Sequence, residues 1–250
     1  MFMQRLAWAG VLFRHANSTI MIDPIGQLDQ LTSKLTGPPL EELRPLTDFA
    51  KPDAVFVTHE HGDHFDVASL LNAYGSDLPL YLPAETAATA TRAGFTNVTG
   101  MHPGDQADVG QLRITAVPSV DGFGTPQVAF VVEGGGTKAI HCGDTMFHGH
   151  WWNIARSYGP IDVAFLPVNG AVVEISFYTP PSRFEACMTP EQAVEAAYLL
   201  RAKQLVPIHY NGFDNPPKYT QAPDLPARLQ QAAAERGVQL NKIQTYQSLV

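Results

Sequence analysis

Thr58-His59-Glu60-His61-Gly62-Asp63-His64 packs three imidazoles and two carboxylates into seven residues, directly behind the apolar run Ala54-Val55-Phe56-Val57. Such a run reads as a buried strand, so the polar cluster sits at a strand's C-terminal end, where α/β sheets gather their ligand sites. Imidazole nitrogen and carboxylate oxygen on a rigid edge are the donors a borderline divalent cation takes. A polar loop that happens to hold several histidines is the competing reading, and this density of ligand-type side chains counts against it.

A hydrolytic pair of metals, about 3.5–4 Å apart, needs more donors than one cluster supplies, including a shared carboxylate. Two later strand ends offer them. His141-Cys142-Gly143-Asp144-Thr145 follows an apolar strand, and Pro207-Ile208-His209-Tyr210 closes another. Alone, Asp144 reads equally well as a turn residue and His209 as a histidine near the core.

The bulk of the chain bounds the rest. Its 250 residues are 45% hydrophobic and 16% charged, an ordinary globular composition. Net charge is -8 without a Lys/Arg cluster, which argues against a nucleic-acid partner. Cys142 and Cys187 are too few for a disulfide framework and suit a reducing, cytoplasmic setting. Phe2–Phe13 lacks a clear cleavage site and reads as strands, and no apolar run reaches a membrane-spanning length of about 18 residues.

Strands are expected at 2–9, 11–15, 19–22, 54–57, 79–82, 112–117, 127–133, 137–141, 163–167 and 204–208, with a last one near Ile243. Helices are expected at 66–74, 84–93, from Thr189 onward, and at 225–236. Thr189 with Pro190 and Gln192 gives the third of these a capping-box start. Residues 25–50, broken by Gly37-Pro38-Pro39 and Pro45, read as an irregular surface insertion. No linker divides the chain, so a single domain over 1–250 is expected, built as two packed sheets with outer helices.

HxHxDH after a strand, GDT after a second and a late histidine after a third resemble the metallo-β-lactamase superfamily. Supporting matches are Ile22-Asp23-Pro24, Pro103-Gly104-Asp105, Phe165-Leu166-Pro167, Met188-Thr189-Pro190-Glu191-Gln192-Ala193 and Pro207-Ile208-His209-Tyr210. The last three resemble the branch that holds L-ascorbate-6-phosphate lactonase and N-acyl phosphatidylethanolamine phospholipase D. The resemblance implies an α+β, four-layer αββα sandwich. It implies a first metal on His59 and His61, a second on Asp63, His64 and His209, and Asp144 bridging both. Zinc is the foremost ion, with manganese or iron as alternatives.

One position departs from the pattern. Where the family usually carries a third histidine, this chain reads Val117-Pro118-Ser119-Val120-Asp121-Gly122. Either Asp121 is itself a ligand, completing a 2-His-1-carboxylate set that favours a harder ion, or it is a turn residue and the first site is weak.

The expected activity is hydrolysis of an ester, lactone or phosphodiester of a small or lipid-like substrate by a metal-bridging hydroxide, with Asp63 orienting it. His148, just after Asp144, is a candidate proton donor, with a packed surface histidine as its competitor. Phe147–Trp152 is a candidate wall of the substrate site. Ala171–Cys187, with Phe177, Tyr178 and Arg183, is a candidate lid, and Tyr210 and Asn211 are within sequence reach of the site. A nucleic-acid phosphodiesterase, a metal-binding protein without turnover and an iron redox protein are the alternatives. Nothing in the sequence decides between a monomer and a homo-oligomer.

Overall fold

In the computed structural model, residues 1–175 and 178–249 are described; Phe177 of the candidate lid lies outside them. Strands β1 (Phe2–Arg5), β2 (Val11–His15), β3 (Ser18–Ile22), β4 (Ala54–Phe56), β5 (Leu80–Pro83) and β6 (Val98–Met101) build one sheet. The second sheet holds β7 (Gln106–Val109), β8 (Leu112–Pro118), β9 (Val128–Gly134), β10 (Thr137–His141) and β11 (Val163–Pro167). A short β12 (Val172–Val173) precedes β13 (Gln204–Ile208), β14 (Tyr219–Thr220) and β15 (Ser248–Leu249). The orders are β15-β1-β2-β3-β4-β5-β6 and β13-β11-β10-β9-β8-β7, with β12-β14 as a separate ribbon. Both large sheets are mixed: β3 to β6 run parallel, as do β10, β11 and β13, and the remaining pairs are antiparallel.

The layering follows from the two-residue period of strands whose faces are both covered. Ile20 and Ile22 of β3, Phe56 of β4, Phe130 and Val132 of β9, Phe165 of β11 and Ile208 of β13 share the core between the sheets. Their alternate neighbours face outward. Met21 and Val55 pack with α2 (Val67–Tyr74) and α3 (Ala87–Arg92), whereas Val131, Ala164 and Leu205 pack under α4 (Trp151–Tyr158), α5 (Pro190–Leu199) and α6 (Leu225–Arg236). Phe13 meets Phe165 edge-on at 5.7 Å, and Phe56 meets Phe130 at 5.2 Å, across the inter-sheet layer. Helices therefore cover both outer faces, as expected for an αββα sandwich.

Several elements differ from the sequence reading. Residues 25–50 are not wholly irregular: Gln30–Thr36 forms a helix, numbered here α1 in the first sheet's loop, with Asp29 as its N-cap. Asp29 accepts from the amides of Leu31 and Thr32. The insertion is tied down by Asp66, which caps α2 through Ser69 N and also accepts from Gly26 N and Gln27 N. β1 stops at Arg5 because Trp8 turns into the left-handed region at φ 58°. The last strand is Ser248–Leu249 rather than near Ile243; it pairs with β1. β6 and β7 carry Gly100, Asp108 and an exposed, polar face, so their strand signal is weak.

Candidate metal centre

Six chain segments deliver polar side chains to one edge of the sandwich, each just past a strand end. They are Trp8, Asp23 after β3, Thr58–His64 after β4, Asp121 after β8, Asp144 after β10 and His209 after β13. The backbone is bent sharply there. Trp8, Asp23 and His209 have φ of 58°, 47° and 56°, a region that costs a non-glycine residue free energy and that clusters at functional sites. Gly143, at φ 60°, takes the same turn before Asp144, and a Cβ there would lie 2.6 Å from Thr58 Oγ1. The sheets are stitched at this edge by Val128 N donating to Thr58 O at 3.0 Å.

Two groups of donors converge. His59, His61, Asp121 and Asp144 form one and Asp63, His64 and His209 the other; within each, the ligand-type atoms lie within 4.8 Å of one another. His59 Nε2 and His61 Nδ1 are 2.9 Å apart, and they lie 3.7 Å from Asp144 Oδ1 and Asp121 Oδ1 respectively. His64 Nε2 and His209 Nε2 lie 3.7 and 3.6 Å from Asp63 Oδ2. This is the set of seven residues that the sequence singles out for metal, Asp121 included.

Each donor is aimed by a second contact. Asp23 Oδ2 accepts from His64 Nδ1 at 2.8 Å and from Thr58 Oγ1 at 2.7 Å, while its Oδ1 accepts from Thr58 N at 2.7 Å. His61 Nε2 is bonded to Thr125 Oγ1 at 2.9 Å, which turns Nδ1 inward. Asp121 Oδ2 accepts from the amides of Phe123 and Thr125, both at 2.8 Å, so Oδ1 is the oxygen left for the centre. Trp8 Nε1 donates to Asp63 Oδ2 at 3.0 Å, and its ring packs 4.0 Å from that of His209. Buried His141 donates through Nε2 to Ala9 O and accepts at Nδ1 from Gly143 N, bracing the turn that presents Asp144. Its packing role agrees with the sequence reading.

The donors' electrostatics call for cations. Asp121 Oδ1, Asp144 Oδ1, His64 Nε2 and His209 Nε2 are buried without a hydrogen-bond partner among the described residues, an arrangement that proteins otherwise avoid. Burial holds His59 well below the usual histidine range and His209 down at about 4, so both imidazoles are neutral. Burial also pushes Asp144 well above the ordinary carboxylate range, and the charges of Asp121 and Asp63 add to it despite His64. Burial opposes a charged His64, but the carboxylates of Asp63 and Asp23 outweigh it and hold its pKa at about 9. The centre thus gathers four buried or half-buried acidic side chains, Asp23, Asp63, Asp121 and Asp144, whose mutual repulsion adds to the burial that raises Asp144. Divalent cations satisfy the orphaned atoms and offset this repulsion, so the residues suit a metal centre.

The centre opens into a cavity of about 900 Å³, lined by His61, Asp63, Asp144 and His209 on one side. α1, part of the segment read as a surface insertion, also lines it through Leu31, Thr32, Lys34, Leu35 and Thr36. The candidate lid contributes in part: Ala171, Val173, Ile175, Ala186 and Cys187 line the cavity, whereas Arg183 is exposed and does not. His148 does not line it either. Its ring stacks on Trp151 at 4.1 Å, its Nδ1 accepts from His150 N, and burial lowers its pKa to about 4. Phe147–Trp152 likewise leads into α4 and packs on the outer face of the second sheet instead of walling the cavity. Tyr210 lies under the Arg5 guanidinium, and Asn211 N donates to Gln221, so neither reaches the centre.

Asp23, Trp8 and Thr125 are the site residues that motif reading does not assign. Asp23 lies in the matched Ile22-Asp23-Pro24 and carried a usable signal; Trp8 and Thr125 carried none, because only the fold brings them near.

A family model described as the Beta-lactamase superfamily domain matches residues 18–210. A UPF0173 metal-dependent hydrolase of Methanopyrus kandleri is 32% identical over 222 residues, covering 84% of this chain and 85% of that protein. One from Thermococcus onnurineus is 30% identical over 199 residues, covering 77% of each. Among solved structures, a metallo hydrolase of Ignicoccus hospitalis matches with a TM-score of 0.71 at 22% identity, covering 100% of this chain and 98% of that one. The architecture is thus the metallo-β-lactamase fold, and the chain belongs to that superfamily as a metal-dependent hydrolase of the UPF0173 family.

Proposed function

We propose that the chain is a dinuclear hydrolase in which His59, His61 and Asp121 would hold one ion, Asp63, His64 and His209 the other, and Asp144 both. The observation that carries this reading is the pair of adjacent donor groups in which Asp121 Oδ1, Asp144 Oδ1, His64 Nε2 and His209 Nε2 are buried with no hydrogen-bond partner among the described residues. Two bound dications supply a water acidic enough to act as a nucleophile near neutral pH, together with positive charge beside the bond under attack. The chain's own groups do the positioning. Asp63, held by Trp8 Nε1 and lining the cavity, would accept a hydrogen bond from an attacking water and so orient it toward a substrate in the cavity. The neutral state of His59 and His209 keeps their lone pairs available as ligands at pH 7. Asp121 makes the first site richer in oxygen than three imidazoles would; zinc remains the foremost ion, and manganese or iron are better tolerated than in an all-imidazole site.

The bond cleaved is that of an ester, a lactone or a phosphodiester in a small or lipid-like substrate, the chemistry of the ascorbate-6-phosphate lactonase and N-acyl phosphatidylethanolamine phospholipase D branch. The whole chain acts as one catalytic domain in the cytoplasm, and the acidic balance, -8 overall, disfavours a nucleic-acid substrate. Among the described residues no helix is long and apolar enough to cross a membrane. A panel of p-nitrophenyl esters, lactones and bis-p-nitrophenyl phosphate, assayed on fully metal-loaded protein, tests the reading. Turnover of one class, abolished by Asp63→Ala and Asp144→Ala, is expected; silence across the panel at full loading would favour a metal-binding protein without turnover.

A further inference from the structure

The cavity has a mixed lining. Besides the metal donors it takes aliphatic side chains from α1 and from the β12 segment, with Lys34, Glu174 and Lys218 among them. Leu31 and Leu35 are four residues apart on α1 and so share one helix face. Val173 ends β12 and Ile175 follows just beyond it. All four side chains line the same space, with Phe65 and Val67 from the approach to α2. Leu31 is 70% exposed although it is leucine, an apolar residue left at a cavity rim. A concave apolar wall continuous with a polar centre is the form of a binding site in which the wall takes the substrate's body and the polar groups fix its orientation.

We propose that this wall is a subsite for a straight aliphatic chain joined directly to the group that the metal centre attacks, and that Leu35 and Val173 set the chain length accepted. The subsite's role in turnover rests on the hydrolase reading above; its capacity to bind a chain does not. A volume of about 900 Å³ leaves room for a body well beyond the reacting group. α1 holds its position against the centre because Gly62, inside the histidine motif, leaves the space that Asp29 Oδ2 and Thr32 Oγ1 occupy. The chain-binding wall and the metal donors are therefore registered to each other by direct packing.

The test measures affinity in two homologous series by isothermal titration. n-Alkyl hydroxamates, from acetohydroxamate to octanohydroxamate, carry a metal-chelating head; n-alkanols, from butanol to octanol, carry the chain alone. Both series are expected to tighten by up to about fourfold per methylene, the ratio that about 0.8 kcal/mol per buried CH₂ corresponds to. Leu35→Asp and Val173→Asp should flatten the gradient while leaving acetohydroxamate binding within about twofold, since neither belongs to the two donor groups. If an Asp variant fails to fold, Leu35→Trp or Val173→Trp, which fill the space with apolar atoms, should weaken octanohydroxamate selectively. Alkanols that tighten while no hydroxamate binds would uphold the subsite and sink the metal-centre reading. Flat gradients in both series on wild-type protein would overturn the subsite whatever the metal content.

Discussion

Asp23 sets the tautomers of two imidazoles at once. A carboxylate only accepts, so the bond between Asp23 Oδ2 and His64 Nδ1 at 2.8 Å keeps a proton on Nδ1 and makes Nε2, which faces Asp63, the nitrogen whose proton a metal ion would displace. The Thr58 hydroxyl spends its one proton on Asp23 at 2.7 Å, so at 3.1 Å it accepts from His59 Nδ1, and His59 Nε2 is bared toward Asp144. One buried residue outside the two donor groups thereby orients a donor in each, a relationship known to raise ligand basicity and affinity.

Replacing Asp23 by asparagine keeps the shape but lets the amide donate where the carboxylate accepts. We expect Asp23→Asn to lower metal affinity by about 10- to 100-fold at both sites while the fold persists. Competition with a chelating dye, alongside circular dichroism, measures both. Affinity unchanged at either site would show that the Thr58 relay does not orient His59.

In the metal-free form, His64 carries a proton up to about pH 9, and a metal ion must displace it. Affinity should therefore climb up to about tenfold per pH unit between pH 7 and 9 and level off above, with proton release visible as a buffer-dependent heat of binding. The same shift bears on folding. Because the folded-state pKa lies above 6.5, its stabilisation of the metal-free chain is complete below pH 6.5 and is lost as pH rises through about 9. The chemical-denaturation midpoint of metal-free protein should fall over that interval. A midpoint that rises there would contradict the assignment of the charge to His64.

Gly62→Ala drives a methyl group into Asp29 Oδ2 and Thr32 Oγ1. Either α1 moves off the motif or its N-cap breaks, and losing such a cap costs about 1 kcal/mol. Urea unfolding should report a loss of about that size, and hydrolysis of long-chain substrates should suffer more than that of short ones. A variant as stable as wild type would mean that α1 is not clamped by the motif.

Much of this architecture was legible in the chain because the strands are buried on both faces. Val163–Pro167 and Gln204–Ile208 are continuous apolar runs, and their observed bounds coincide with those read from sequence. Thr189, Pro190 and Gln192 announce α5 through a capping box that the structure forms. The residues of the two candidate donor groups were legible because they cluster in the turns that follow such runs. What was hidden depends on tertiary context. α1 has only Asp29 as a start signal, and its seven residues hold their helix through that cap and through Leu35 and Thr36, which pack against the rest of the fold. Trp8 reads as a core aromatic, and nothing local says that its indole would reach Asp63 across 55 positions. His148 has the residue type of a catalyst, but Trp151, three positions on in the same segment, holds its ring.

The central claim is a two-ion centre that includes Asp121, and metal stoichiometry by elemental mass spectrometry on wild type and Asp121→Ala tests it most directly. Asp121 Oδ1 is buried, lacks a partner and lies 3.7 Å from His61 Nδ1, so its removal should empty the first site while leaving Asp63, His64 and His209 in place. About two ions per chain in the wild type, falling towards one in the variant, is the predicted result. About one ion per chain, unchanged in the variant, would contradict it: the first donor group would then hold no metal, and the dinuclear hydrolase reading would fall.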